Sequence, residues 1–396
     1  MSAITENRQG LKVLIAGSVL QLFLGIIYVW SVFVKPVSAA YDWDVAGVKL
    51  MSSFMISFFG VGILAGGKLM MKIGASKTVL AGGLMLASGM LASAFMTPGT
   101  VRLMYLTYGV IGGFGVGTAY SALIASAQKW FPRNRGFATG VSVCAFGLST
   151  VVFAPLAEAL IGRFGLDATF MILACGFGVT VLALFSFIRL PDDSAPGGAA
   201  AALLARRQYT LAETVKTKEF YLIALSMMCA TSVFFVLNPS FKTLAEERGV
   251  AEVGTILVML TGVANALGRL GAPTMADKIG SEKAAIVIIL TTAVCAAALI
   301  FAQGWAFIAA IAVIAFCYGG FPGLYPVLTA DYFGIKNVGA NYGAVMVGFA
   351  ISALCFPIIA GLIEGGAAKF IFLGSLAGTG AALMMLLTAG KKRLRD

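Results

Sequence analysis

Apolar stretches of about 20 residues recur from one end of the sequence to the other, and each can cross the hydrocarbon core of a bilayer as an α-helix. Of the 396 residues, 60% are hydrophobic and 11% are charged. Soluble domains carry about 25% charged residues. The sequence therefore excludes a soluble fold and predicts an all-α integral membrane protein.

These stretches predict twelve transmembrane helices. The apolar run after the polar first ten residues is too long for a signal-peptide core, so we expect it to be retained as the first helix. The predicted spans are residues 11–34, 47–70, 78–97, 102–127, 137–160, 167–188, 219–240, 252–273, 284–303, 305–328, 339–362 and 367–389.

One long connection separates the sixth span from the seventh. Residues 189–218 are rich in Pro, Gly and Ala and carry charges, which is typical of a linker. Thr210 and Glu213 have the spacing of a capping box, which predicts a short interfacial helix there. We expect an N-terminal six-helix bundle at residues 1–188, a cytoplasmic linker, and a C-terminal six-helix bundle at residues 219–396.

The basic residues indicate the orientation. With a cytoplasmic N-terminus, the cytoplasmic loops and both termini hold 20 of the 28 Lys and Arg residues, the opposite loops hold 7, and Arg269 alone lies in a span. This asymmetry predicts cytoplasmic termini in a bacterial plasma (inner) membrane. The net charge of +11 then reflects topology and contact with anionic lipid, and we expect no nucleic-acid partner.

Several residue types needed for catalysis are missing. The chain has no histidine, and its six cysteines lie in apolar segments without a CxxC motif. It also lacks buried carboxylate pairs. We therefore expect no metal, no cofactor, no disulfide and no enzymatic activity.

The two halves of the chain contain similar loop motifs at corresponding positions. Gly74 and Gly280 end similar Lys-Ile-Gly loops 206 residues apart, and Phe131 and Phe333 end similar aromatic loops 202 residues apart. A 6+6 repeat with a long cytoplasmic linker resembles the major facilitator superfamily. That resemblance implies a 6+6 pseudo-symmetric fold, substrate binding between the halves near the midplane, and alternating access.

The loop motif of that superfamily, GxxxD(R/K)xG(R/K), is incomplete in both copies. The first copy has Met71 in the acidic place. The second keeps Asp277, Lys278 and Gly280 but has Pro273 in place of the first glycine. We expect both departures to weaken the motif as a local lock without changing the fold.

Arg269 is the strongest candidate for function. By residue count it lies about 12 Å from the cytoplasmic end of the eighth span. Intramembrane charge is costly and usually faces a cavity. Snorkelling and a structural ion pair are alternatives, but the sequence places no acidic residue at comparable depth. We expect a transported anion, and the planar fork of Arg favours a carboxylate over a halide.

Other residues are predicted to surround this anion. Asn265, one turn before Arg269, could bond the guanidinium, a substrate hydroxyl or another helix. Tyr120 lies at a similar depth in the other half, about 13 Å above Lys129, and is either a hydroxyl donor or packed core. Further candidate binding residues are Tyr28, Tyr318 and Tyr325, with Phe146 and Phe349 as apolar walls that limit substrate size.

Two glycine-rich runs affect helix shape. Residues 112–117 resemble a nucleotide-binding loop, but no strand precedes them, so they predict close helix packing instead. Residues 319–326, GGFPGLYP, predict that the tenth span bends or breaks. Such a helix lines a cavity or acts as a gate.

Several separated segments resemble the oxalate/formate antiporter family and bacterial relatives of the monocarboxylate transporters, including proton-coupled L-lactate carriers. They are QLFLGIIYVWSVF, KWFPRNRGFATG, QYTLAET, the Asn265–Arg269 pair with ADKIG, and ADYFG followed by NYG. The resemblance implies transport of a small carboxylate, with Arg269 as the anion site and aromatic residues around it.

Two departures from the family pattern bear on the expected substrate and on its coupling to protons. Phe349 stands where the oxalate carrier has a second cation, a lysine, so we expect one carboxylate rather than two. Asn265 stands where mammalian monocarboxylate transporters have an aspartate. The acidic residue thought to help proton movement is therefore missing, and the sequence does not identify the group that carries the proton. We predict a proton-linked lactate or pyruvate transporter that works as a monomer. The alternative is a carboxylate/carboxylate antiporter.

Overall fold

A computed structural model describes residues 2–191, 207–238, 244, 247–249 and 254–393. Half of the predicted linker, residues 192–206, lies outside this range. Regular structure within the described part is helical throughout, without strands. The predicted all-α class is confirmed.

Fourteen α-helices make up the described part of the chain. In chain order they are α1 (Ser2–Leu24), α2 (Trp30–Tyr41), α3 (Val45–Ile73), α4 (Ala75–Ser93), α5 (Gly113–Trp130), α6 (Arg135–Phe164), α7 (Leu166–Leu184), α8 (Leu211–Thr214), α9 (Lys218–Leu237), α10 (Gly254–Ile279), α11 (Ser281–Ala298), α12 (Gly304–Phe333), α13 (Val338–Gly361) and α14 (Gly366–Arg393). A 3₁₀ turn, Gly25–Tyr28, connects α1 to α2, and a π-helix, Tyr105–Gly112, leads into α5.

Eleven helical segments of the described part are long and apolar enough to cross a membrane. The remaining long helix is α10, whose 26 residues include Arg269, Asp277 and Lys278. At the α-helical rise these residues extend about 39 Å, which also exceeds the thickness of the hydrocarbon core. The chain is thus a multi-pass membrane protein, and its long helices are consistent with the twelve predicted spans.

The chain divides into two compact units. Unit 1 comprises Met1–Pro132, Ala145–Gln208 and Ile335–Gly343. Unit 2 is formed by Arg133–Cys144, Tyr209–Gly334 and Ala344–Asp396. Within unit 2, the predicted capping box is present at the start of α8, where Thr210 and Glu213 each bond the other's backbone N–H.

Glycines bring the helices of unit 1 into backbone contact. A methyl group on Gly117 would lie 2.0 Å from the carbonyl oxygen of Phe59, and one on Gly115 would lie 2.5 Å from that of Gly82. Both distances are far below van der Waals contact, so only glycine fits. The glycine run at residues 112–117 is therefore a packing surface for α3 and α4, as predicted.

Glycines also bring the backbones of α10 and α12 into contact in unit 2. A methyl group on Gly268 would lie 1.8 Å from the Phe316 carbonyl oxygen, and one on Gly319 would lie 2.0 Å from the Asn265 carbonyl oxygen. Of the two shapes predicted for the tenth span, the break is excluded, because α12 is continuous although Pro322 and Pro326 lie inside it. Close packing against α10 supports this helix along the segment where the prolines remove backbone hydrogen bonds.

Candidate functional site

Arg269 points into the protein rather than toward lipid. Its exposed fraction is 3%, whereas Val263 and Leu267 on the same helix are 57% and 59% exposed. Helix α10 thus has an apolar outer face and places its cation on the inner face. Snorkelling out along the helix surface is inconsistent with this burial.

The Arg269 guanidinium donates hydrogen bonds to neutral oxygen atoms of Asn265 and Val143. Its Nε donates to Oδ1 of Asn265 at 2.8 Å, and its Nη1 donates to the carbonyl oxygen of Val143 at 3.5 Å. Of the three roles proposed for Asn265, the structure contains the bond to the guanidinium. Because that bond engages Nε, it fixes the plane of the guanidinium fork.

The backbone around Arg269 is enclosed on two sides by glycines. A methyl group on Gly140 of α6 would lie 3.2 Å from the Arg269 carbonyl oxygen, and one on Gly323 of α12 would lie 2.9 Å from the same atom. The start of α6 and the middle of α12 therefore flank α10 at this residue. Val143 could not be identified from sequence, because a backbone carbonyl carries no residue-type signal.

An aromatic cluster lies in unit 2 at the level of Asn265. The ring of Tyr318 stacks on Phe234 with centroids 3.9 Å apart, and Phe235 packs edge-on against both Tyr318 and Phe349, at 5.4 and 5.0 Å. Tyr318 precedes Gly319, whose backbone touches that of Asn265. The structure thus brings together two predicted residues, Tyr318 and Phe349, and adds two phenylalanines that sequence reasoning missed.

Tyr325 lies apart from that cluster. It is fully buried, and its hydroxyl is 2.9 Å from the Oγ of Ser226. This hydrogen bond links α12 to α9. A role for Tyr325 in substrate binding stays a prediction.

The predicted residues of unit 1 form a second aromatic cluster. Phe146 packs edge-on against Tyr28 at 5.5 Å and against Tyr120 at 5.2 Å. Phe59 contacts Tyr120 at 5.3 Å and Phe146 at 5.9 Å. Tyr28, Tyr120 and Phe146, which are far apart in sequence, are therefore neighbours within one unit.

Asp277 binds the first turn of α6. Its Oδ1 accepts from the backbone N–H of Gly136 at 2.9 Å, and its Oδ2 accepts from that of Phe137 at 2.8 Å. This carboxylate caps a helix N-terminus, where unsatisfied donors and the helix dipole favour negative charge. Asp331 adds an ion pair with Arg135 of the same turn.

Comparison with known proteins agrees with this architecture. A model of the Major Facilitator Superfamily matches residues 14–304 and 223–395, nearly the whole chain. A solved structure of the Escherichia coli fucose:proton symporter FucP superimposes with a TM-score of 0.70 at 13% identity, covering 94% of this chain and 97% of that one. At this identity the likeness shows the fold alone.

The matches with curated relatives span most of each relative's length. The Escherichia coli (strain K12) uncharacterized MFS-type transporter YhjX is 27% identical over 86% of this chain and 85% of its own. The oxalate:formate antiporter of Oxalobacter formigenes is 26% identical over 81% and 76% of the two chains. Monocarboxylate transporter 13 of Rattus norvegicus is 23% identical over 92% and 86%. The predicted resemblance to these two families is confirmed.

Proposed function

Because the chain belongs to the Major Facilitator Superfamily, and is thus a transporter rather than an enzyme, we propose that it carries a small monocarboxylate of the lactate or pyruvate type across the membrane by alternating access. The observation that carries this proposal is the position of Arg269. Its guanidinium is buried on the inner face of a membrane helix and held in plane by Asn265.

A carboxylate suits this cation for geometric and electrostatic reasons. A guanidinium presents parallel N–H donors that match the two oxygens of a carboxylate. Charge inside a membrane protein is costly and usually serves a ligand or ion pathway. An arriving anion neutralises the buried cation, so substrate occupancy changes the free energy of closing the protein around it.

The surroundings of Phe349 favour one carboxylate over two. Its ring lies 5.0 Å from Phe235 and 6.3 Å from Tyr318, within an aromatic cluster. A second carboxylate beside these rings would lose its hydration without gaining a cation. A short apolar tail gains from the same contacts.

The remaining candidate residues have assigned roles in this proposal. Tyr120 donates a hydrogen bond to the substrate, as does the amide of Asn265 during the transport cycle. Tyr28, Tyr318 and Tyr325 supply further polar contacts, and Phe146 with Phe349 limits the size of the apolar tail.

We propose proton-linked transport, with carboxylate/carboxylate exchange as the second candidate. Exchange is favoured by two features of the sequence: it has no histidine, and a neutral asparagine, Asn265, lies one helical turn before Arg269. Moving an empty, charged Arg269 through the occluded state would be costly, and that cost favours obligatory exchange. We place the protein in a bacterial inner membrane as a functional monomer with both termini in the cytoplasm, from the distribution of Lys and Arg.

Uptake of labelled L-lactate into proteoliposomes tests the proposal. We expect saturable uptake driven by an alkaline interior. Uptake that needs internal carboxylate and ignores the pH gradient would establish exchange instead. Two lost charge-assisted hydrogen bonds of about 1.5 kcal/mol each predict at least about 100-fold weaker lactate binding in Arg269→Gln.

Arg269→Lys is the matched control, because it keeps the charge and loses the planar fork. We expect it to bind lactate more weakly than the wild type and more strongly than Arg269→Gln. Normal lactate affinity in a folded Arg269→Gln variant would refute the assignment of the anion site.

A further inference from the structure

A cavity of about 430 Å³ lies between the start of α9 and the end of α14 in unit 2. Its volume falls within the range of about 300–1,000 Å³ that is typical of small-molecule sites. Both helices contribute to its lining, which consists of Lys218, Glu219, Tyr221, Leu222, Leu386, Leu387 and Gly390. None of these residues belongs to the candidate anion site or to the aromatic clusters, so the cavity is a separate feature of unit 2.

The cavity lies where two membrane-spanning segments end. Lys218–Leu237 and Gly366–Gly390 are both long and apolar enough to cross a bilayer, and the cavity is lined by the first residue of one and the last residue of the other. It therefore lies at the level where lipid headgroups meet hydrocarbon. Tyr221 is 54% exposed beside the cavity, and tyrosine is enriched at that interface.

Helices α9 and α14 pack closely deeper in the membrane and leave space near these ends. A methyl group on Gly380 would lie 3.1 Å from the Ser226 carbonyl oxygen, whereas one on Gly390 would meet nothing within 4 Å. Gly390 follows Gly380 by about 15 Å along the helix. The missing side chain at Gly390 therefore helps to keep the cavity open near the membrane surface.

The polarity of the lining changes with depth. Lys218 and Glu219 lie in the first turn of α9, and Leu222 follows one turn deeper. On α14, the two leucines of the lining lie about one turn deeper than Gly390. A charged mouth above an apolar floor matches a phospholipid, whose headgroup is charged and whose acyl chains are apolar.

Lys218 and Glu219 place one cation and one anion at the mouth of the cavity. Neither side chain forms a hydrogen bond or an ion pair with another residue that the structure describes. Charged side chains at a membrane surface attract headgroup charges of opposite sign. Because the two side-chain charges cancel, the mouth matches a headgroup that itself carries a phosphate and an ammonium group.

We propose that this cavity binds a molecule of phosphatidylethanolamine. The Lys218 ammonium binds the lipid phosphate, and the Glu219 carboxylate accepts a hydrogen bond from the primary ammonium of the headgroup. An acyl chain packs on Leu222 and Leu387 below them. Phosphatidylcholine has the same phosphate, but its quaternary ammonium has no N–H group to donate. Glu219 therefore discriminates between the two lipids.

Native mass spectrometry of the whole chain in detergent tests this site with lipids that share the same acyl chains. We expect phosphatidylethanolamine to bind about 10-fold more tightly than phosphatidylcholine, which lacks one charge-assisted hydrogen bond. Phosphatidylglycerol has no ammonium group and should also bind more weakly. Equal binding of the first two lipids would overturn the proposal. A preference for phosphatidylglycerol would overturn it too, since general attraction by Lys391 and Lys392 would produce that result.

Two substitutions at the mouth of the cavity should change lipid binding in different ways. In Glu219→Leu, we expect the ratio of phosphatidylethanolamine to phosphatidylcholine affinity to fall to about one; an unchanged ratio would refute the role of this carboxylate. In Lys218→Gln, both lipids should bind more weakly at a nearly unchanged ratio, because they share the phosphate. Glu247→Leu and Lys216→Gln change exposed residues outside the cavity and should leave both affinities unchanged.

Gly390→Phe tests whether the lipid occupies the cavity rather than the general surface. The added ring enters open space and should weaken phosphatidylethanolamine binding without changing any charge. A wild-type Tm without added lipid would show that this variant is folded, and unchanged lipid binding by it would refute the location.

Soluble phosphoethanolamine distinguishes a lipid site from a site for the headgroup alone. It lacks acyl chains, so we expect it to leave the lipid bound. Complete displacement would overturn the assignment to a lipid. None of these measurements involves a transported carboxylate, so their outcome does not depend on the proposed transport function.

Discussion

Gly319→Ala tests whether the contact between α10 and α12 positions Arg269. A methyl group at this position would lie 2.0 Å from the Asn265 carbonyl oxygen, 2.7 Å from its carbonyl carbon and 2.8 Å from its Cα. All three atoms are backbone, so no side chain can rotate away. The helices must separate at the residue whose side chain holds the guanidinium.

The magnitude follows from the distances. Restoring an ordinary contact of about 3.4 Å from 2.0 Å requires the helices to separate locally by about 1.4 Å. Overpacking of this kind typically costs about 1–3 kcal/mol. We expect Gly319→Ala to lower the free energy of unfolding by about that amount and to weaken lactate binding, because Asn265 moves with its backbone.

Thermal unfolding in detergent and lactate binding measure the two effects. Gly262→Ala is the matched control, since it lies on α10 and a methyl group there would meet nothing within 4 Å. That variant should be as stable as the wild type or slightly more stable, because alanine favours the helix over glycine by about 1 kcal/mol. If Gly319→Ala kept both wild-type stability and affinity, the helix contact would not be what positions the site.

Three further substitutions address separate parts of unit 2. Asn265→Leu removes the acceptor of the Arg269 Nε hydrogen bond, and we expect lactate affinity to fall by about 10-fold or more. Unchanged affinity would show that the Arg269 guanidinium binds lactate without being oriented by Asn265. Asp277→Ala removes the cap of α6 and should lower the free energy of unfolding by about 1 kcal/mol, measured beside Lys278→Ala as a control. Phe349→Lys places a second cation beside the aromatic cluster, so oxalate should bind better and lactate worse; loss of both would argue against a single-carboxylate pocket.

The helices could be predicted because membrane spans have a strong compositional signal. Runs of about 20 apolar residues are rare outside membranes, so nearly every helix was located from hydropathy alone. The first span was harder to delimit, since α1 passes into α2 through the 3₁₀ turn Gly25–Tyr28 without a loss of hydropathy. Hydropathy does not detect the change from α-helical to 3₁₀ hydrogen bonding.

The candidate site was predicted only where charge or residue type marks it. Arg269 is conspicuous as a lone cation in an apolar run, and Asn265 follows from helical spacing. Nothing in the sequence separates Phe234 from the other 28 phenylalanines, and Val143 contributes only its backbone.

The two incomplete loop motifs show that a departure from a sequence motif does not predict the loss of the contact that the motif makes. Met71 replaces the acid in the first copy, yet the neighbouring Gly67 still meets another backbone, since a methyl group there would lie 2.2 Å from the amide nitrogen of Ala340. In the second copy Pro273 replaces glycine, yet its carbonyl oxygen would lie 1.7 Å from a methyl group on Gly136.

Each copy therefore docks near the start of a helix through a glycine backbone contact, one in unit 1 and one in unit 2. Only the second copy adds a carboxylate, that of Asp277, to the contact. Because close backbone packing depends on small residues rather than on charge, it survives substitutions that break the motif. The Asp277 carboxylate thus adds strength and sensitivity to salt to the second contact, while the glycines determine whether each contact forms at all.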